Sequence, residues 1–268
     1  MARWAAFVGL TGVAVSILLA LARLTQDTVS DGAVDPERMG ALAGPATRNP
    51  RPGDPVIPRF DDPEPIELEL STGALLANVA LTQGLFGTVL AAGAFYFGIP
   101  AWAFGIAADP LSTGTPAVAV GVAAGVALWI GNELAGLTAR RVGVDYDESL
   151  REMLAPDDAR GWGLLLVGVL PIIAVVEEFV FRAAAIGVVE AGLGISPWPM
   201  AIVSSIAFGA AHGAQGRVGM VVTGSLGMAL AALFVVTDSL LAVAVAHYLV
   251  NALELTVHEG LGIGRPGG

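Results

Sequence analysis

The sequence predicts an all-α protein, a polytopic transmembrane helix bundle of about seven spans, and three observations carry that prediction. Of 268 residues, 55% are hydrophobic and only 14% charged, against about a quarter charged in an ordinary soluble domain. The apolar residues gather in charge-poor runs of about 20 residues, the length a helix needs to cross roughly 30 Å of hydrocarbon. Arginines fall in alternate gaps between the runs, the asymmetry that separates cytoplasmic from external loops.

The first run, 4–24, follows Arg3 as a secretory signal would. Its apolar core is longer than a signal region, however, and it ends in LARLTQDT without a small-residue cleavage site, so 1–24 reads as a retained membrane anchor. Residues 25–70 are rich in Pro, Gly and acid and hold too few apolar residues for a core, which predicts a flexible cytoplasmic linker. Runs at 73–97 and 114–137 supply accessory transmembrane helices within 71–160. No charge occurs from Ser71 to Ala108, but Gly98 and Pro100 interrupt that stretch. One long helix is expected there, then a short apolar segment near the interface where an eighth piece, re-entrant or spanning, is allowed. Runs at 162–189, 197–211, 217–236 and 239–257 complete a core over 161–257, followed by a short C-terminal tail, 258–268. No internal repeat is visible.

Acidic residues number 24 against 13 basic ones, a net charge of −11. All 13 are arginine, since the chain has no lysine. Much of the acid lies in loops, which suits a chain in high salt, as in halophilic archaea, although a GC-rich genome alone would favour arginine. Cysteine is absent, which removes disulfides and thiolate metal sites. If the loop with Arg140, Arg141, Arg151 and Arg160 is cytoplasmic, alternation puts the linker arginines, Arg217, Arg265 and the C-terminus on the same side, with Arg3 opposite. Trp162 and Trp198, just inside span starts, read as interfacial anchors. The expected setting is an integral, multi-pass membrane protein with the bilayer as its solvent and no nucleic-acid partner.

The polar residues stranded inside spans are the functional candidates, because ionisable groups in a bilayer are costly unless paired or wetted. The stretch AVVEEFVFRAA, 174–184, holds three of them. Glu178 and Arg182 stand four apart with the acid first, the favourable order for a helical ion pair. Glu177 points roughly 100° away. Left without that partner in an apolar surround, it suits a general base; a purely structural charge cluster is the bland alternative. His212 ends the next apolar helix, and His247 and Asn251 lie four residues apart on the last. Two histidines, a glutamate and an asparagine on three helices can face one cavity and offer a base for water and donors for an oxyanion. Glu254 and His258 continue the last stripe and read as helix-end residues. Glu133, beside Asn132, either pairs with an arginine of another helix or faces the cavity.

In order along the chain, Glu-Glu-x-x-x-Arg at 177–182, Phe-x-x-x-His at 208–212 and His-x-x-x-Asn at 247–251 resemble the motifs of the CPBP family. These are the CAAX-processing and bacteriocin-processing intramembrane endopeptidases, also called Abi or type II CAAX prenyl endopeptidase-like proteins. The resemblance covers about 160–257. It implies hydrolysis of peptide bonds in membrane proteins or lipidated peptides, including CAAX-type prenylated ones. By motif position, Glu177 and His212 would activate water, His247 and Asn251 would stabilise the oxyanion, and Glu178 and Arg182 would support the first motif. The family carries a metalloprotease label, and a metal-free, glutamate-based mechanism has also been proposed for it. The label makes zinc the implied cofactor, with Glu177, His212 and His247 as candidate ligands and water in the fourth position. Asparagine is a poor zinc ligand and a good oxyanion donor, which favours chemistry without tightly bound zinc.

Other intramembrane chemistries lack their residues. There is no His-Glu-x-x-His, Ser225 has threonine two residues before it where a rhomboid-type site has glycine, and Asp109 and Asp238 lie at span ends. Two different classes remain as alternatives. One is a transporter or proton relay through Glu133, Glu177, His212, His247 and Glu254. The other is a non-catalytic scaffold or immunity factor of the same family.

Overall fold

A computed structural model describes residues 2–32, 72–141 and 149–263, and all their regular structure is helical. Seven principal helices follow the apolar runs: α1 (Trp4–Gly32), α2 (Thr72–Phe97), α3 (Thr115–Arg141), α4 (Ala159–Leu193), α5 (Pro197–Ala211), α6 (Gly216–Thr237) and α7 (Leu240–Leu255). Six are long and apolar enough to cross a membrane. The 15-residue α5 rises only about 22 Å, short of the roughly 30 Å hydrocarbon.

Three boundaries differ from the sequence reading. Helix α1 continues past residue 24 to Gly32, so the first eight residues assigned to the linker are helical; 33–71 lie outside the described residues. No eighth span forms at 98–109. The chain makes a 3-10 turn over Ala101–Phe104, bracketed by Gly98 and Gly105 at φ 68° and 69°, and then a single helical turn over Pro110–Thr113. Four residues cannot cross a bilayer, and the two left-handed glycines reverse the chain on either side. The end of α7 opens into a π turn, Thr256–Gly260, so the expected tail starts inside a helix.

The helix ends sort into two layers. At one, Arg3 N donates to Phe97 O at 2.9 Å, and the Arg3 guanidinium lies over the Tyr96 ring at 4.6 Å. Leu240 N donates to Gly105 O, and Ser239 caps α7 through the Ala242 N–H. At the other, Arg151 pairs with Glu254 and Glu259, and the Trp162 ring lies beside Gly260.

Between the layers, apolar side chains and small residues set the packing, because lipid removes the hydrophobic drive between helices and leaves close contact as the main attraction. A Cβ on Gly121 would stand 2.6 Å from Ala242 O, and one on Gly125 2.9 Å from Ala246 O. Helices α3 and α7 therefore cross at backbone contact. Phe7, Val180, Phe181, Ile186, Phe208 and Phe234 fill the centre and draw α1, α4, α5 and α6 together. That packing fixes α4 against α5 and α7, the three helices that carry the polar motifs.

Candidate active site

Helix α4 is not uniformly wound. It runs as π-helix over Leu165–Val169 and Phe179–Gly187, with α-helical Leu170–Glu178 between them. The second widening begins directly after the glutamate pair, and such widenings frequently mark functional sites. Glu178 and Arg182 are both fully buried and pair at 2.9 Å, as their spacing predicts. Arg182 also donates from NH2 to Gly227 O at 3.0 Å and lies 4.4 Å over the Phe208 ring. A Cβ at Gly227 would meet Phe208 at 3.0 Å and Arg182 at 3.3 Å, so glycine leaves the room this arrangement uses.

The same Glu178 oxygen reaches a second partner, His247 Nδ1, at 2.7 Å. A carboxylate only accepts, so Nδ1 carries the hydrogen and the other ring nitrogen, Nε2, is turned toward Glu177 Oε2 at 3.8 Å. Glu177 is held from a direction that sequence reading missed. Gln83 of α2 donates from Nε2 to Glu177 Oε1 at 2.9 Å. That leaves Glu177 Oε2 buried with no hydrogen-bond partner.

A cavity of about 110 Å³ opens beside Glu177 and is lined by Gln83, His212, Val180, Phe181, Leu18 and Ala211. It has room for a few water molecules. His212, at the C-terminal end of α5, lies 2.8 Å from Phe208 O through Nδ1. The carbonyl fixes the proton on Nδ1 and leaves Nε2 as the ring's acceptor. Phe208 is the common neighbour of the cationic and imidazole groups, 4.7 Å from the His212 ring and 5.9 Å, edge-on, from the His247 ring.

Of Glu177, His212, His247 and Asn251, which the sequence reading allows to face one cavity, the structure puts the first two in the cavity lining. His247 reaches Glu177 from α7, and Asn251 stands a turn beyond His247, partly buried and outside that lining. The ligand set for zinc fits poorly. Among the described residues the three-ligand convergence falls on Glu133, Glu254 and His258 rather than on Glu177, His212 and His247. Glu254 and His258 lie at the helix end as expected, and His258 Nε2 also meets Glu133 Oε1 at 2.7 Å.

An all-helical bundle with several apolar spans and buried ionisable groups between them defines an integral membrane protein. Residues 159–253 match the family model described as type II CAAX prenyl endopeptidase Rce1-like, which supports a likeness to the CAAX-protease (CPBP) family over that segment. No curated protein and no solved structure matches the chain.

Proposed function

We propose that the protein hydrolyses peptide bonds of membrane-associated proteins, CAAX-type prenylated ones included, with Glu177 as the base. One observation carries this reading: a buried carboxylate oxygen, Glu177 Oε2, has no hydrogen-bond partner and belongs to a residue lining a water-sized cavity. A buried acceptor without a donor needs a reason, and a water awaiting deprotonation supplies one.

In the proposed reaction, Glu177 takes a proton from water as the water oxygen bonds to the scissile carbonyl carbon. The carbonyl π pair moves to oxygen, and Asn251 and His247 receive the resulting oxyanion. When the tetrahedral intermediate collapses, the C–N bond breaks and the Glu177 proton passes to the leaving amine through His212 Nε2. Glu178 and Arg182 orient His247 and stay unchanged. The division into a catalytic core over 161–257 and accessory helices over 71–160 is part of this proposal, with the qualification that Gln83 brings an accessory helix into the site.

The relay alternative would need Glu133, Glu177, His212, His247 and Glu254 in one file. The contacts divide them into two groups, Glu177 with His247 and Glu133 with Glu254 and His258. The test is cleavage of a farnesylated CAAX peptide by the purified full-length chain in detergent, read by mass spectrometry beside an unprenylated control. Wild type releases the C-terminal fragment and Glu177→Gln does not; equal turnover by both proteins overturns the proposal.

A further inference from the structure

Away from the catalytic centre, Glu133 of α3 and Glu254 and His258 at the end of α7 bring one ligating atom each within 4.8 Å of one another. The hydrogen-bond directions around His258 are informative. Its Nδ1 lies 2.7 Å from Ile263 O, and a carbonyl only accepts, so Nδ1 carries the hydrogen. Nε2 then faces Glu133 Oε1 at 2.7 Å and Glu254 Oε1 at 3.7 Å. A lone pair and two carboxylates in such proximity repel unless a positive species, a proton or a cation, lies among them.

Two further observations concern the same place. Glu254 Oε2 is buried and has no hydrogen-bond partner, while Oε1 accepts from Arg151 NH1 at 2.9 Å. The arginine thus fixes the carboxylate through the same oxygen that faces His258. The backbone that carries His258 is the π turn Thr256–Gly260, a local widening of the kind often found at functional sites.

We propose that Glu133, Glu254 and His258 bind one divalent first-row transition cation, separate from the catalytic centre. An imidazole with two carboxylates suits zinc, manganese or ferrous iron better than calcium or magnesium, which prefer oxygen alone. The Nδ1–H to carbonyl contact is the usual outer bond of a metal-bound histidine. With bonds of about 2.0–2.2 Å, tetrahedral ligand atoms stand roughly 3.3–3.6 Å apart. The 2.7 and 3.7 Å separations bracket that spacing. Bound there, the ion clamps α3 to α7 about 16 Å along the helix from His247, and so steadies the helix that carries His247 and Asn251.

The test measures metal in the full-length chain, purified through a tag without histidines, stripped with chelator, incubated with zinc chloride and desalted. The expected result is about one zinc per chain in wild type and in His247→Ala, and at least a tenfold lower content in Glu133→Gln and in His258→Gln. Zinc should also raise the thermal midpoint of wild type and leave that of Glu133→Gln unmoved, which separates a lost site from a misfolded variant. Wild type without zinc above background overturns the proposal in favour of a shared proton. Zinc that survives both variants, or that disappears in His247→Ala, overturns it by locating the ion elsewhere.

Discussion

Glu178 Oε1 accepts from His247 Nδ1 at 2.7 Å while it also holds Arg182 NH1 at 2.9 Å. One buried oxygen therefore joins the first motif of the family to the third. Glu178→Gln weakens both contacts at once. It leaves a fully buried guanidinium short of its counter-charge, which costs about 3–5 kcal/mol, and it loosens the His247 ring. Reduced abundance and a lowered thermal midpoint should accompany loss of turnover. Glu177→Gln differs, being near-isosteric and placed beside the cavity, and should give a folded, inactive protein. Comparing thermal midpoints and turnover of the two variants checks this; equal destabilisation by both would contradict it.

Gln83 tests whether an accessory helix takes part in the chemistry. Its amide fixes Glu177 Oε1, so Gln83→Ala frees the carboxylate to rotate away from the cavity. A misplacement of about 1 Å can cost as much as 100-fold in rate, and kcat is expected to fall about 10- to 100-fold with KM nearly unchanged. A variant with wild-type kcat would show that Glu177 needs no such support.

Much of this was legible in the sequence, for physical reasons that particular residues illustrate. The spans are encoded in runs long enough to cross hydrocarbon, and the Glu178–Arg182 pair follows from helical spacing alone. Contacts between distant segments were not legible. Gln83 is a neutral amide in a charge-free helix that also holds Asn78, and nothing signals that it serves Glu177, 94 residues away. His258 reads as a helix-end residue, and nothing local announces its partner Glu133, 125 residues away on another helix. The π segments escaped as well, since nothing in FVFRAAAIG distinguishes i→i+5 from i→i+4 bonding.

The crossing of α3 and α7 supplies a stability prediction. Gly125→Val would press a branched side chain into Ala246 and Leu249, whose nearest atoms lie 2.9 Å from even a bare Cβ. Overpacking of that kind costs about 1–3 kcal/mol. The thermal midpoint should drop, whereas Gly131→Ala, where nothing lies within 4 Å of the added carbon, should leave it unchanged or slightly raised. Equal midpoints for both variants would argue against the close crossing.

Sidedness follows from the arginine pattern together with the two layers of helix ends. Arg151 sits with the end of α7, and the turn at Gly194 belongs with the Trp4 end, where Gly192 packs on Trp4. The proposal that the Arg151 layer is cytoplasmic predicts opposite labelling of two single cysteines placed at Pro156 and Gly194. The chain has no cysteine of its own, so the background is clean. In intact cells a membrane-impermeant thiol reagent should reach the cysteine of Gly194→Cys and miss that of Pro156→Cys until the membrane is opened. Labelling of both in intact cells would defeat the orientation.

Asn251 bears on how the oxyanion is received. It is placed one helical turn beyond His247 and outside the cavity lining, so its contribution should appear in the transition state rather than in binding. Losing one oxyanion donor typically lowers kcat by about 100- to 1,000-fold, and Asn251→Ala should fall in that range with KM little altered. Asn251→Asp distinguishes donation from mere packing, because it keeps the shape, removes the N–H donors and sets a negative charge against a developing one; it should be at least as slow as the alanine variant. If the aspartate variant instead retained wild-type kcat, Asn251 would have no part in holding the oxyanion, and that role would rest on His247 alone.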